Sequence, residues 1–67
     1  MNSQKLRGLI AERGLTQSKV AAAMGMSQKT FYSKMKSGQF GLDECEALID
    51  ILAISNPMEI FFPHLVS

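Results

Sequence analysis

Gly25 breaks a run of helix-forming residues and so limits the folds open to this chain. It stands in the middle of "QSKVAAAMGMSQKTFYSKMKSG", residues 17 to 38, a stretch otherwise rich in helix-forming residues. Inside a helix a glycine costs about 1 kcal/mol relative to alanine. Its natural place is the left-handed residue that closes one helix, with Ser27 capping the next. The segment then reads as two short helices joined by a tight turn, and the rest of the chain must brace that corner.

The 67 residues allow one domain with one small core, spanning 1–67. Apolar residues recur at spacings of three and four, and strand-like alternation is absent, so the expected class is all-α with five short helices. There is no Trp, no apolar run of the roughly 18 residues that a membrane span requires, and no charged-then-apolar secretory start. A soluble, cytoplasmic protein without membrane contact is expected. Cys45 is the lone cysteine and His64 the lone histidine, so neither a disulfide nor a metal cluster is expected. Cys45 reads as a small core residue, and His64, near a chain end, as exposed and without a function. No cofactor and no small-molecule ligand are expected.

The net charge of +1 hides an uneven distribution. Residues 1 to 40 hold all seven basic groups (Lys5, Arg7, Arg13, Lys19, Lys29, Lys34, Lys36) against Glu12 alone. Residues 41 to 67 hold five acids and no Lys or Arg. An excess of six positive charges on the N-terminal side favours an anionic partner there.

The first helix is expected from about Ser3 to Arg13, capped by Asn2 or Ser3, with Leu6, Leu9 and Ile10 inward and Gly14 past its end. The second follows a Thr16 cap, buries Val20, Ala21 and Met24, and ends at Gly25. The third follows Ser27 with Phe31 and Met35 on its inner side and stops near "KSG", residues 36 to 38. The fourth spans about Leu42 to Ala53, with Leu42, Cys45, Leu48, Ile49 and Leu52 as its apolar stripe. Its cap is either Gly41, with Glu44 three residues on, or Asp43, with Glu46. The last begins at "NPME", with Asn56 as cap and Pro57 at the first helical position, and Pro63 ends it.

Two short helices around a glycine turn form a helix-turn-helix, here about residues 17–36, whose geometry restricts particular positions. Counting from Gln17, the apolar fourth, eighth, tenth and fifteenth positions are Val20, Met24, Met26 and Phe31. The small fifth position is Ala21, and the left-handed ninth is Gly25. With its "GLTQ" opening, "AxxxG" corner and "MSQKTFY" second helix, the chain resembles the phage-repressor and Cro-like (XRE-type) helix-turn-helix family. Over about residues 4 to 62 it looks like small phage or prophage regulators of Gram-positive bacteria. The resemblance implies a compact five-helix, lambda-repressor-like DNA-binding domain. The chain departs from the family's pattern at Lys34, where an apolar residue is usual, so Met35 is expected to face inward. Ile10 and Met35 also stand where the family often has an ion pair, and an apolar contact is expected instead.

With Phe31 inward and about 100° per residue, the third helix (about 28–36) turns Lys29, Ser33 and Lys36 outward. Tyr32 lies on one flank, and Ser27 and Gln28 project from the leading end. As a recognition helix in the major groove it would offer Gln28, Lys29, Ser33 and Tyr32 to base edges: a glutamine amide matches adenine, and a lysine donates to guanine's two acceptors. The resemblance implies phosphate contacts from Thr16 and Gln17. Ser27, Lys19 and Lys36 join them as phosphate-contact candidates, and Lys5, Arg7 and Lys34 as sources of longer-range attraction.

One module reads too few base pairs to be selective, so a weak homodimer on a palindromic operator is expected. Its interface candidates are Phe61, Phe62, Leu65 and Val66, with one phenylalanine of the adjacent pair inward and the other outward. The expected function is a sequence-specific, double-stranded-DNA-binding transcriptional regulator of the repressor or Cro type. The alternative is a helix-turn-helix protein-interaction module, such as an antirepressor or antitoxin, working through its acidic C-terminal half. An enzyme finds no support in the sequence, which has neither a nucleophile-base pair nor a phosphate-cradling glycine loop.

Overall fold

The computed structural model describes residues 1–66; Ser67, the last residue of the expected single domain, lies outside them. Five α-helices follow one another: α1 (Ser3–Glu12), α2 (Gln17–Ala23), α3 (Gln28–Ser37), α4 (Leu42–Leu52) and α5 (Pro57–Phe61). A single 3₁₀ turn, Pro63–Leu65, comes after α5, and there is no strand among the described residues. No helix is long and apolar enough to cross a membrane.

Polar residues placed one position ahead begin the first three helices. The side chains of Asn2, Thr16 and Ser27 accept the backbone N–H groups of Lys5, Lys19 and Thr30, each satisfying a donor that the helix itself cannot. At α4 the cap is Gly41, and the Glu44 carboxylate accepts the Gly41 N–H at 2.8 Å. Asn56 stands before α5, but its side chain makes no capping bond. Asn56 thus holds the expected N-cap position, but its amide is drawn to the Glu59 carboxylate instead of to the helix backbone.

The first four helices close with one device. After α2, the Met26 N–H reaches back to the Ala21 carbonyl and the Gly25 N–H to the Ala22 carbonyl, both at 3.0 Å. This is the six-to-one and five-to-two pattern that requires a left-handed residue between. Gly25 supplies it at φ +70°. Gly14 and Gly38 take the same conformation after α1 and α3, and Ala53 takes it after α4 at φ +50°.

The core gathers residues from every helix. Leu6 and Ile10 come from α1, Val20 and Ala21 from α2, Phe31 and Met35 from α3, and Cys45, Leu48 and Leu52 from α4. Ile60 and Phe61 of α5, with Ile54 ahead of it, close the cluster. Leu6, Val20, Phe31, Leu48, Leu52 and Ile60 are fully buried, each contributing about 1.5–3 kcal/mol. Leu9, Met24, Met26 and Ile49 pack partly buried against them. No polar or charged residue is buried among the described residues.

Leu42 departs from the expected stripe: it is 71% exposed. As the first residue of α4 it overhangs the core, and Phe40 supplies the apolar contact at that end, its ring tilted against Phe31 with centroids 5.6 Å apart. At the C-terminus Phe61 belongs to the core at 5% exposure while Phe62 is 39% exposed. Phe61 is thereby removed from the interface candidates. One backbone bond ties α5 to the N-terminal residues, the Asn2 N–H donating to the Ile60 carbonyl at 2.7 Å.

Candidate functional site

With α2 and α3 packed against each other across the Gly25 turn, the core positions of α3 determine what its other side shows. Phe31 and Met35 are anchored at 0% and 2% exposure. Lys29, Tyr32, Ser33 and Lys36 are all exposed. They follow the spacing i, i+3, i+4, i+7 and so form one continuous stripe along the helix.

Gln28 stands exposed at the leading end of α3. Its Nε2 donates to Ser18 Oγ at 2.5 Å, which steadies the amide against α2 while its carbonyl oxygen and second N–H stay available. Thr16 is exposed and Gln17 half-buried at the start of α2, and Lys19 is exposed one turn on. The hydroxyls of Thr16 and Ser27 both act as caps, and Ser27 also donates its proton to Thr30 Oγ1 at 2.9 Å.

The basic residues separate into two groups. Lys5 pairs with Glu59 at 3.0 Å and Lys34 with Glu44 at 2.6 Å. Arg13 sends Nε to the Leu52 carbonyl at 2.7 Å and Nη2 to the Ala53 carbonyl at 3.3 Å, satisfying the unpaired end of α4 and favouring its negative dipole pole. Arg7, Lys19, Lys29 and Lys36 make no ion pair among the described residues. Two of the sequence candidates for long-range attraction, Lys5 and Lys34, are thus neutralised within the molecule, and each holds two elements together.

The pairing also tunes the acids. The Lys34 ammonium and the Gly41 N–H hold the Glu44 carboxyl below its ordinary value, outweighing its partial desolvation. Lys5, and after it the Asn56 amide, do the same for Glu59. Burial pushes the Cys45 thiol up, with the Glu44 charge adding to it. That is the behaviour of an inert packing thiol.

A cleft of about 510 Å³ opens beside the stripe, lined by Ser3 and Arg7 of α1, Gln17 of α2, and Tyr32, Met35 and Lys36 of α3. It joins residues that the sequence reading had kept apart, Gln17 and Lys36 as phosphate-contact candidates and Arg7 as a distant source of charge. No signal in a single sequence shows that α1 passes close enough for Arg7 to line the same cleft as Lys36. Among the described residues, no group of three His, Cys, Asp or Glu side chains converges as a metal site would require.

No family model, curated protein or solved structure matches this chain. Its chemistry is therefore read from the surface itself.

That surface combines an exposed helix face, cations that make no ion pair among the described residues and first turns of α2 and α3 that carry no Asp or Glu. Such a face suits an extended polyanion better than a small neutral ligand. The remaining interface candidates lie at the other end of the chain, where Phe62, Leu65 (64% exposed) and Val66 (43% exposed) are joined by Met58 (45% exposed). Met58, one turn before Phe62, was not singled out in the sequence.

Proposed function

We propose that this protein is a cytoplasmic, sequence-specific regulator of transcription that binds double-stranded DNA through a helix-turn-helix formed by α2 and α3. The observation that carries this is the stripe Lys29, Tyr32, Ser33, Lys36, which an anchored α3 presents together with Gln28. A ten-residue helix is about 15 Å long and enters a major groove about 12 Å wide. In this arrangement Gln28, Lys29, Ser33 and Tyr32 meet base edges, while Thr16, Gln17, Ser27, Lys19 and Lys36 meet the backbone.

Selection of bound sequences from a random duplex library, followed by binding at increasing salt, tests it. The expected result is an enriched inverted repeat bound with a steeply negative slope of log affinity against log salt. No enrichment, together with a slope near zero, would overturn the DNA reading and favour the protein-interaction alternative.

A further inference from the structure

We propose that the cleft between α1 and α3 seats a backbone phosphate of the bound duplex, gripped by Arg7 from the α1 wall and Lys36 from the α3 wall. This rests on the DNA-binding reading and adds to it a contact from α1, a helix outside the α2–α3 corner.

The chemistry of the lining narrows the occupant. Arg7 and Lys36 are donors with no acceptor capacity, and the Gln17 amide and the Tyr32 hydroxyl can donate as well. Ser3 is already engaged, its hydroxyl donating to the Met35 carbonyl at 2.7 Å, so it helps to fix α1 against α3 and leaves the grip to the cations. A site rich in donors, with two positive charges facing one space, calls for an anion with several acceptor oxygens. A guanidinium matches a phosphate with two parallel N–H donors, and an ammonium adds a point charge.

The position narrows it further. Lys36 and Tyr32 belong at once to the cleft and to the exposed stripe of α3, so whatever fills the cleft is continuous with whatever α3 touches. For a helix lying in a groove, that neighbour is the sugar-phosphate backbone at the groove's edge. The opening of about 510 Å³ exceeds what one phosphate needs and leaves room for the sugars on either side. Arg7 would then set how α3 is oriented across the groove without reading any base.

The test uses the full chain and the variants Arg7→Gln, Lys36→Gln and Lys5→Gln. All three lose one positive charge, but Lys5 lies outside the cleft and is paired with Glu59. Arg7 is exposed and not part of the core, so the fold is expected to survive its substitution, which circular dichroism checks. With a selected duplex, Arg7→Gln should flatten the salt slope by about 0.9 for each bound protomer and weaken binding roughly tenfold per protomer near 0.1 M salt. The preferred sequence should stay unchanged. Lys36→Gln should act alike and Lys5→Gln should leave the slope as it is. Independently of DNA, inorganic phosphate titrated at constant ionic strength should shift the amide resonances of Arg7, Gln17 and Lys36, and this response should vanish in Arg7→Gln.

Wild-type slopes in both cleft variants, with wild-type binding intact, would overturn the phosphate seat and leave the DNA reading standing. Failure of the wild-type protein to bind any duplex would remove both. A phosphate response in the cleft with unaltered DNA binding would also overturn the proposal, making the cleft a site for a small free anion.

Discussion

Ala53 carries strain that the other helix ends avoid. It sits at φ +50° where Gly14, Gly25 and Gly38 occupy the equivalent places, and a left-handed residue with a Cβ costs about 1–2 kcal/mol. Part of that is recovered because alanine restricts the unfolded chain more than glycine does. Ala53→Gly is therefore expected to stabilise the protein by up to about 1 kcal/mol, read as a higher urea midpoint. Lys34 and Met35 make the opposite comparison, since adjacent side chains face different surroundings. Met35→Ala should cost about 2–5 kcal/mol by opening the core. Lys34→Ala, which loses a partly exposed ion pair, should cost about 1 kcal/mol or less. Glu44 makes that pair dependent on pH. Its folded-state pKa is depressed by Lys34 and by the Gly41 N–H, so its contribution is complete above the unfolded value of about 4.3 and is lost as pH falls through the lower folded value. Acid titration of Glu44→Gln, followed by urea midpoints, should show a shallower loss of stability below about pH 4 than the wild type shows.

Single elements show what a sequence can disclose. The starts of α2 and α3 were legible because Thr16 and Ser27 act locally, each bonding a backbone group three residues on. Gly25 was legible because left-handed backbone is a local requirement. Leu42 was misread because helical periodicity assigns a residue to a face without saying where the core ends along the axis. The choice between Phe61 and Phe62 stayed open for a related reason, since a five-residue helix is too short for periodicity to decide. Lys34 with Glu44 and Arg13 with the end of α4 join elements 10 and 39 residues apart in the chain, and such pairs depend on tertiary packing. On α3 itself, Gln28→Ala or Lys29→Ala should relax base preference at one or two operator positions, about 1–3 kcal/mol each. Ser18→Ala should weaken the same discrimination as Gln28→Ala but less severely, because it frees the amide to rotate without removing it. A selection experiment on each variant reads all three, and identical preferences throughout would mean that α3 does not lie in the groove.

At the scale of the whole molecule, extents of 33 × 22 × 19 Å would, on the proposed DNA-binding reading, let one copy reach a single half-site, and two half-sites lie about 34–36 Å apart. A two-fold pair is then expected, formed through Met58, Phe62, Leu65 and Val66, whose combined exposure makes a patch of the kind that marks an interface. Sedimentation with and without the selected operator measures it. Phe62→Asp should abolish the pair while leaving the fold intact, whereas a wild-type protein that saturates its operator as a monomer would exclude this assembly. The bond from Asn2 to Ile60 and the ion pair from Lys5 to Glu59 bring the first helix against the fifth. The polypeptide is in effect a ring fastened at one clasp. A flexible linker running from the residues that follow α5 back to α1 should close it covalently, and new termini opened between α3 and α4, at Gln39, should give a circular permutant with the same core. In that permutant α5 and α1 would follow each other directly in the chain, so the clasp would become a local contact.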